Sequence, residues 1–321
     1  MSRALFGFRL RSSCPACAST QSRLRYRCRF DQDPIAAYLA GRYGVDPRRL
    51  AHGEYRLQEC LACSTIYQAE VGDNELLTEL YSRWVKRTEA PENDPGYAYD
   101  MANPEKSRDG HEIIAASSYL GVPLNQMQVL DYGMGWASWS RVAVQLGCRA
   151  FGLDLAEDRI AFARKHGITP LADPEIESGR YHFINTEQSM EHFTDPGPVS
   201  KRFADALLPG GVLKISVPSN FGVESFLKRL NAGQASVTHS EIMPVHPLEH
   251  VNCFTLDGLR QLGRRWGLEP ARPGIFDRYA FLGHRGSLDL RRPKRLAKEL
   301  VRPWYQFRNP RNLYVWLRKA T

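Results

Sequence analysis

Short apolar runs and helix-like apolar spacing alternate through the second half of this chain. The runs that predict buried strands cover residues 127–131, 149–154, 169–172, 181–186 and 211–217. The stretches that predict helices, with apolar positions three or four residues apart, cover residues 137–147, 156–166 and 197–208. Strands that alternate with helices indicate a parallel sheet with helical crossover connections. The pattern therefore predicts an α/β fold with a mostly parallel sheet.

The flanking regions follow different patterns. Pro104 opens a predicted helix before the alternating region, and Thr255 caps a helix after it, which strand-like segments near 268–275 and 279–284 follow. Asp73 caps a further predicted helix that runs to about Arg87. The predicted parts are a cysteine-containing module at 1–70, a helix and linker at 71–104, the sheet domain at 105–286 and a basic aromatic tail at 287–321.

A glycine-rich turn follows the first predicted strand of the sheet. Two glycines, Gly133 and Gly135, stand one residue apart between that strand and the next helix. Glycine lets the backbone turn sharply and approach a ligand, and a helix N-terminus adds free N–H groups. Asp154 closes the second strand about 20 residues later, where a carboxylate can accept both ribose hydroxyls of an adenosine. Asp131, two residues before the turn, would crowd a pyrophosphate but suits a cationic aminoacyl ligand.

The net charge of +8 is concentrated at the two ends. Residues 1–29 hold seven arginines and no acid, and residues 291–321 hold ten Lys and Arg and one acid. The region between them is therefore acidic, which argues against phosphate binding around a central cleft. A hydrophobic content of 43% and a charged content of 24% are typical of globular proteins. The longest apolar runs fall short of the roughly 18 residues of a membrane-spanning helix.

Four of the seven cysteines form two pairs, Cys14-x-x-Cys17 and Cys60-x-x-Cys63. Two such knuckles are the ligand set of a structural Cys₄ zinc site, so we predict a zinc-ribbon-like module. Two alternatives stay open. The four thiols could be buried without a metal, or one knuckle could be lost with Cys28 as a substitute.

Several motifs together carry a resemblance to a known family. The glycine turn, Asp154, the segment Glu191-His192-Phe193-Thr194-Asp195-Pro196 and the turn Leu208-Pro209-Gly210-Gly211 occur in this order. The chain resembles class I S-adenosylmethionine-dependent methyltransferases over residues 127–267. The resemblance implies a Rossmann-like, seven-stranded, mostly parallel sheet and S-adenosylmethionine as the cofactor. The cofactor-binding residues that it implies are Asp131, Gly133, Gly135, Asp154, Leu155 and Gln188, with the two glycines against the methionine portion and Gln188 beside the sulfonium.

Methyl transfer is an in-line displacement, so alignment of the reactants can supply about 7–11 kcal/mol of the barrier reduction. An acceptor hydroxyl also needs a general base. His192 and His250 are the candidate catalytic residues, and a structural or substrate-orienting role is the alternative for each. In some related O-methyltransferases, two Glu residues around the Glu-His step bind a divalent cation. Gln188 replaces the first of them here, so metal-assisted catalysis is not expected.

Similar cysteine-rich modules precede the methyltransferase domain in bacterial enzymes that methylate sugars. The resemblance therefore implies a sugar or glycan acceptor, including a lipid-linked cell-surface saccharide. The alternatives are an RNA methyltransferase, a non-catalytic partner protein with the same fold, and, more remotely, an NAD dehydrogenase. Nucleic acid is not the expected partner, given the acidic central region.

The basic tail interleaves cations with Trp304, Tyr305, Phe307, Tyr314 and Trp316. Three interpretations stay open: docking to an anionic membrane face, stacking on RNA, or a helix that packs its aromatic residues on the domain. The N-terminal apolar stretch, residues 4–8, is too short for a secretory signal. We therefore expect a cytoplasmic location, with peripheral association at the inner membrane face as an option.

Overall fold

The computed structural model describes residues 5–85, 89–284, 288 and 290–321. The strands in the described chain are β1 (Phe8–Leu10), β2 (Ser22–Arg29), β3 (Glu54–Cys60), β4 (Ile66–Gln68), β5 (Glu70–Gly72), β6 (Gln128–Tyr132), β7 (Arg149–Leu153), β8 (Thr169–Pro170), β9 (Tyr181–Glu187), β10 (Leu207–Pro218), β11 (Asn252–Cys253), β12 (Leu268–Ala271) and β13 (Asn312–Lys319). The α-helices are α1 (Ile35–Tyr43), α2 (Asn74–Glu79), α3 (Pro95–Ala102), α4 (Arg108–Leu120), α5 (Ser138–Gln145), α6 (Glu157–Lys165), α7 (Pro196–Ala206), α8 (Val223–Asn231), α9 (His239–Ile242), α10 (Leu256–Arg264), α11 (Ile275–Arg278) and α12 (Pro293–Tyr305).

The chain divides into two compact units that alternate along the sequence. The first, called the cysteine unit, comprises Met1–Thr88, Met190–Gly197 and Pro218–Leu262. The second, called the sheet unit, comprises Glu89–Ser189, Pro198–Val217 and Gly263–Thr321. Each unit is completed by segments distant in sequence. The boundaries predicted at residues 70, 104 and 286 stay a prediction. None of the helices in the described ranges is long and apolar enough to cross a membrane.

The sheet unit contains the seven-stranded sheet, in the order β12-β13-β10-β9-β6-β7-β8. The pairs β10–β9, β9–β6, β6–β7 and β7–β8 are parallel, and β12–β13 is antiparallel. The predicted α/β, Rossmann-like, mostly parallel fold is confirmed. The strand order reverses at β6, whose neighbours are β7 on one side and β9 on the other. The crevice at the carboxyl ends of strands beside such a reversal is where open α/β sheets bind ligands.

The prediction was wrong about the last strand of this sheet. The segment near 279–284 forms a short 3₁₀-helix after α11, whereas β13 comes from the predicted tail. Trp316 and Leu317 of β13 are fully buried, so they belong to the core. In the sheet order, β13 lies between β12 and β10. The six-stranded order 3-2-1-4-5-6 of dinucleotide-binding folds has no strand inserted at this point.

Local sequence signals explain how α4 begins and ends beside the sheet. The Ser107 hydroxyl accepts a hydrogen bond from the Gly110 N–H at 2.9 Å, and Gly121 ends the helix with a left-handed φ of 65°. Ile113 and Ala116 on its inner face are fully buried. The linker predicted before this helix contains α3 instead, which Asp94 caps through the Tyr97 N–H.

The cysteine unit is built around the antiparallel sheet β11-β4-β3-β2 and the pair β1–β5. Asp73 caps α2 as predicted, by accepting a hydrogen bond from the Leu76 N–H at 2.9 Å. The helix continues as a π-turn over Leu80–Trp84, and its predicted end near Arg87 lies outside the described residues. The apolar face of α1 contributes Ile35 and Leu39, both fully buried, to the core of this unit.

Candidate cofactor site and active site

The glycine turn has the backbone geometry of a cradle. Gly133 and Gly135 have φ values of 75° and 54°, in the left-handed region where glycine carries no steric penalty. The Gly133 and Met134 N–H groups donate to the Leu153 carbonyl at 2.9 and 3.0 Å, which fixes the turn against β7. A Cβ on Gly133 would lie 2.3 Å from the Ser189 Oγ, whereas a Cβ on Gly135 would project into open space. Gly135 therefore leaves room for a ligand beside its backbone.

The predicted ribose-binding acid lies beside this turn. Asp154 Oδ2 accepts a hydrogen bond from the Gly135 N–H at 2.9 Å, and Oδ1 accepts one from the Ala156 N–H at 3.0 Å. Arg159 Nη1 lies 3.4 Å from Oδ2. The neighbouring Leu155 is 87% exposed, although it is a large apolar residue. The turn, an oriented carboxylate and an exposed apolar side chain thus occur together at the ends of β6 and β7.

Asp131 is held inside the unit. Its carboxylate accepts hydrogen bonds from the Ser140 hydroxyl and from the Asn185 amide, the latter at 2.7 Å. Burial raises the pKa of Asp131 to about 6, although both hydrogen bonds oppose this shift. Through these two hydrogen bonds, Asp131 of β6 connects to Ser140 of α5 and to Asn185 of β9. Its predicted contact with the aminoacyl part of the cofactor stays a prediction.

A charge network that no sequence motif predicted surrounds a buried lysine under the same strand ends. Lys214 is fully buried, and its Nζ donates to Asn185 Oδ1 at 2.9 Å and to Glu187 Oε2 at 2.7 Å. Arg108 donates to the other Glu187 oxygen at 2.6 Å, and Glu112 lies 3.5 Å from Lys214. Burial alone would raise the pKa of Glu187, but the two cations lower it to about 2. A lone lysine inside the apolar strand 212–217 was the available signal.

Gln188 follows the end of β9 in a strained conformation. Its φ is 51°, which a residue with a side chain rarely adopts, and its N–H donates to the Ser216 carbonyl at 2.7 Å. The side chain is exposed. Backbone strain of this kind concentrates at ligand sites, where the surrounding structure maintains it.

These groups fit S-adenosylmethionine. The left-handed glycine turn leaves backbone accessible, Asp154 offers carboxylate oxygens for a ribose, and exposed Leu155 offers an apolar surface for a base. All of them belong to the sheet unit.

The candidate catalytic histidines lie together in the cysteine unit, with ring centroids 4.8 Å apart. His192 Nδ1 donates to the Glu249 carbonyl at 3.0 Å, and His250 Nδ1 donates to the Met243 carbonyl at 2.6 Å. Because a carbonyl only accepts, the proton is on Nδ1 and each neutral ring has its lone pair on Nε2. Burial lowers the pKa of His192, and burial together with the proximity of the His192 ring lowers that of His250 to about 3.

A tyrosine–histidine network adjoins these two residues. Tyr38 Oη lies 2.7 Å from His246 Nε2 and 2.9 Å from His239 Nδ1. Tyr43 Oη lies 3.2 Å from His246 Nδ1 and donates to Glu249 Oε1. The rings of His246 and His250 are 5.9 Å apart. The network thus connects a buried carboxylate with the exposed His239.

The structure brings the two predicted cysteine knuckles together. The Sγ atoms of Cys14, Cys17, Cys60 and Cys63 all lie within 4.8 Å of one another. Cys14 and Cys63 have their sulfurs 3.6 Å apart, close to the about 3.8 Å that tetrahedral Zn–S bonds of about 2.3 Å require.

The two knuckles have the same backbone geometry. The residue after each second cysteine, Ala18 or Ser64, has a left-handed φ of 64° or 57°. The N–H of each donates to the carbonyl of the first cysteine, Cys14 or Cys60, at 2.9 Å. The four thiols therefore fit a zinc ion, and Cys28 stands outside the cluster.

A second group that could hold a metal ion contains Glu191, His192 and His250, with ligand atoms within 4.8 Å of one another. Both imidazoles donate Nδ1–H to backbone carbonyls, which is how metal-ligating histidines are commonly oriented. The sequence motif, which places a first carboxylate at position 188, does not predict that His250 completes such a group.

Comparison with known proteins agrees with this geometry. A family profile described as a methyltransferase domain matches residues 75–272, more than half of the chain. The ubiquinone biosynthesis O-methyltransferase of Bordetella avium is 30% identical over 168 residues, which cover 46% of this chain and 64% of that protein. The enzyme of the same name from Bordetella pertussis is 30% identical over 166 residues, covering 46% and 67%. The match thus spans about two thirds of these relatives or less.

Among solved structures, the Burkholderia thailandensis 1,6-didemethyltoxoflavin-N1-methyltransferase, crystallised with its namesake ligand and S-adenosylhomocysteine, is 18% identical. The match covers 77% of this chain and 88% of that chain, with a TM-score of 0.42. The family profile, which covers the glycine turn, Asp154 and Gln188, decides the assignment. The chain belongs to the methyltransferase-domain family, as a class I S-adenosylmethionine-dependent methyltransferase.

Proposed function

We propose that the protein transfers the methyl group of S-adenosylmethionine to a hydroxyl-bearing small molecule. The observation that carries this proposal is the hydrogen bond between the Gly135 N–H and Asp154 Oδ2, 2.9 Å long, at the strand ends where the sheet order reverses. The cofactor supplies an electrophilic methyl group on a cationic sulfur. The chain supplies alignment, which is the main contribution that an in-line displacement requires.

Each residue of the cofactor site has a proposed role. Gly133 and Gly135 present backbone to the methionine portion, and Asp154 accepts the ribose hydroxyls. Leu155 covers the adenine, and Gln188 lies beside the sulfonium. Asp131 keeps α5 and β9 in register with the turn through its bonds to Ser140 and Asn185.

We propose a sugar or glycan as the acceptor, including one linked to a lipid. The cysteine module, which resembles those of bacterial sugar methyltransferases, supports this choice. The names of the relatives, ubiquinone biosynthesis O-methyltransferases, support a second acceptor class, a precursor of ubiquinone that is methylated on oxygen. Both classes present a hydroxyl, so both need a proton acceptor.

His192 is the better candidate for that proton acceptor. Its Nε2 carries the lone pair because Nδ1–H is committed to the Glu249 carbonyl. A pKa of about 3 makes His250 a weak base at neutral pH, so an orienting role suits it better. A divalent cation on Glu191, His192 and His250 is the alternative arrangement, in which the same Nε2 lone pairs would bind the metal.

Structural zinc on the four cysteines and peripheral association with an anionic membrane surface complete the proposal. Zinc would stabilise the sheet β11-β4-β3-β2, because Cys60 ends β3 and the Thr255 hydroxyl that follows β11 donates to the Cys63 carbonyl at 2.6 Å. The residues that support membrane association lie in α11 and α12.

Calorimetry with S-adenosylhomocysteine and with NAD tests the cofactor. We expect saturable binding of the first only, and binding of NAD alone would overturn the proposal. Release of S-adenosylhomocysteine in the presence of nucleotide sugars or of ubiquinone precursors then separates the two acceptor classes. Surface polysaccharide from a strain that lacks the protein should contain a sugar one methyl group lighter if the acceptor is a glycan.

A further inference from the structure

Exposed apolar side chains are concentrated in one segment of the sheet unit. Of the fifteen large apolar side chains that are exposed in the described chain, nine lie in residues 275–305. They are Ile275, Phe276, Leu282, Leu288, Leu290, Leu300, Val301, Trp304 and Tyr305. Phe276 is 88% exposed, Leu290 is 76% exposed and Trp304 is 58% exposed. Single exposed apolar residues are ordinary, but a cluster of this size marks an interaction surface.

Hydrogen bonds join the two helices that carry most of these residues. Tyr279 Oη donates to the Leu300 carbonyl at 2.7 Å, and Arg278 Nη1 donates to the Pro303 carbonyl at 2.8 Å. The end of α11 is thereby fixed to the C-terminal half of α12. The exposed residues of both helices thus belong to one structure, which we call the α11–α12 surface.

Cations flank this apolar surface. Lys294 and Lys298 of α12 are exposed, as are Arg291 and Arg308 just outside the helix. The acid of α12, Glu299, is buried and accepts two hydrogen bonds of 2.7 Å from Arg302. Its charge is therefore neutralised within the helix. The solvent-facing charge of this helix is positive.

The arrangement along α12 is that of an interfacial helix. Lys294 and Lys298 lie one turn apart in the N-terminal half, and Leu300, Val301 and Trp304 are exposed in the C-terminal half. A basic helix with Trp and aliphatic residues exposed lies in the plane of a membrane interface, where apolar groups insert and cations bind lipid headgroups.

We infer that the α11–α12 surface docks on an anionic lipid bilayer. This inference rests on the membrane association proposed above and names the residues responsible. Phe276 and Trp304 insert at the level of the headgroups, and Lys294 and Lys298 bind anionic headgroups. The bilayer suits this surface better than a protein partner because the exposed charges of α12 and of the residues just outside it, Arg291 and Arg308, are positive.

The experiment uses the full chain and vesicle sedimentation. Vesicles of phosphatidylcholine with phosphatidylglycerol should retain the protein, and vesicles of phosphatidylcholine alone should retain it at least about tenfold less. Phe276→Ser with Trp304→Ser should lower the partition coefficient on anionic vesicles about tenfold or more. Lys294→Gln with Lys298→Gln should lower it by a similar factor and reduce its salt dependence. Phe221→Ser is the matched control, because Phe221 is 59% exposed in the cysteine unit, and it should change nothing.

Binding of S-adenosylhomocysteine reports the fold of each variant and should not change. If anionic vesicles retain both double variants as well as the unaltered protein, another region binds the membrane and the inference is wrong. If no vesicle retains the unaltered protein, the proposed membrane association fails too, while cofactor binding still tests methyl transfer separately. A shift with RNA, or a dimer lost on Trp304→Ser, would assign this surface to a different partner.

Discussion

Asp154 Oδ2 and the Gly135 N–H are joined by a 2.9 Å hydrogen bond across the ends of β7 and β6. The carboxylate thereby holds the turn in place before any ligand arrives. A turn that is fixed in advance loses less entropy when it binds. Asp154 consequently has two functions in the proposed site, to shape the cradle and to accept the ribose.

Asp154→Asn should weaken S-adenosylhomocysteine binding by about 10- to 100-fold, because it removes charge-assisted hydrogen bonds. Isothermal titration calorimetry measures the change. Glu157→Gln is the matched control, because Glu157 is an exposed acid three residues later. This substitution should change the affinity by less than about twofold. Equal affinities for the unaltered protein and Asp154→Asn would remove Asp154 from the site.

The two glycines should respond differently to alanine. Gly133→Ala combines a left-handed φ with a Cβ placed 2.3 Å from Ser189 Oγ, so we expect a loss of about 2–4 kcal/mol in unfolding free energy. Gly135→Ala has the backbone strain alone and should lose about 1 kcal/mol. Its main effect should be on cofactor affinity, because the new Cβ enters the open space beside the turn.

Urea unfolding without ligand and calorimetry with S-adenosylhomocysteine separate these two effects. Adding Ser189→Ala to Gly133→Ala should recover part of the lost stability, because it removes the clashing hydroxyl. If Gly135→Ala lowers stability as much as Gly133→Ala and leaves affinity unchanged, the open space beside Gly135 does not hold the cofactor.

Cys60→Ser should remove the metal from the cysteine unit. The purified unaltered protein should contain one zinc on the four thiols, and the variant should lose it together with cooperative unfolding of this unit. Elemental analysis measures the zinc. Cys28→Ser is the control, because Cys28 lies outside the cluster and should keep the metal; loss of zinc there would support the substitution that the sequence left open.

Elements with a complete local signal could be predicted from the sequence. The predicted strand 127–131 is observed as Gln128–Tyr132, because the apolar residues Met127, Val129 and Leu130 lie just before a glycine turn. The cap of α2 by Asp73 was equally local. The cysteine cluster followed from spacing, since each knuckle is a four-residue turn.

β13 could not be predicted because its signal is not local. Arg318 and Lys319 at its end are basic, and such a sequence is typical of an exposed segment. In the structure, Arg318 Nε donates to the Gly210 carbonyl at 3.0 Å and Lys319 Nζ donates to the Leu207 carbonyl at 2.8 Å. The cations thus bind the backbone of the β10 region. Only the packing against the neighbouring strand shows that Trp316, two residues before Arg318, is a core residue.

The buried network beneath the site gives a prediction with a defined pH dependence. Lys214→Met leaves Glu187 and Glu112 without their buried cation, so we expect a loss of about 3 kcal/mol in unfolding free energy at pH 7. Lys201→Met is the control, since Lys201 forms an exposed pair with Asp205 and should cost less than about 1 kcal/mol.

The sign of the pH effect follows from Glu187. Its pKa in the folded protein is lowered to about 2, below its ordinary value, so the stabilisation is complete above about pH 4.5 and is lost as the pH falls towards 2. The difference between the unaltered protein and Lys214→Met should therefore be constant from pH 8 to 5 and should shrink in acid. Urea unfolding as a function of pH measures it, and a difference that grows in acid would contradict the assignment.

His192→Gln should separate catalysis from cofactor binding. His192 is not among the proposed cofactor-binding residues, so the affinity for S-adenosylhomocysteine should stay the same. With the acceptor that the release assay identifies, kcat should fall at least about 100-fold, which is the usual contribution of a general base. His52→Gln, an exposed histidine, is the control and should have the original kcat.

Chelation decides which role His192 has. If Nε2 accepts the proton directly, EDTA should leave the kcat of the unaltered protein unchanged. Loss of activity with EDTA and recovery with a divalent cation would instead assign Glu191, His192 and His250 to a metal site. Glu191→Gln should then lower cation affinity by about tenfold or more while the thiol-bound zinc stays in place, because the two groups have no ligand in common. An unchanged kcat in both His192→Gln and Glu191→Gln would exclude His192 as a general base and as a metal ligand. Another group would then accept the proton from the acceptor hydroxyl.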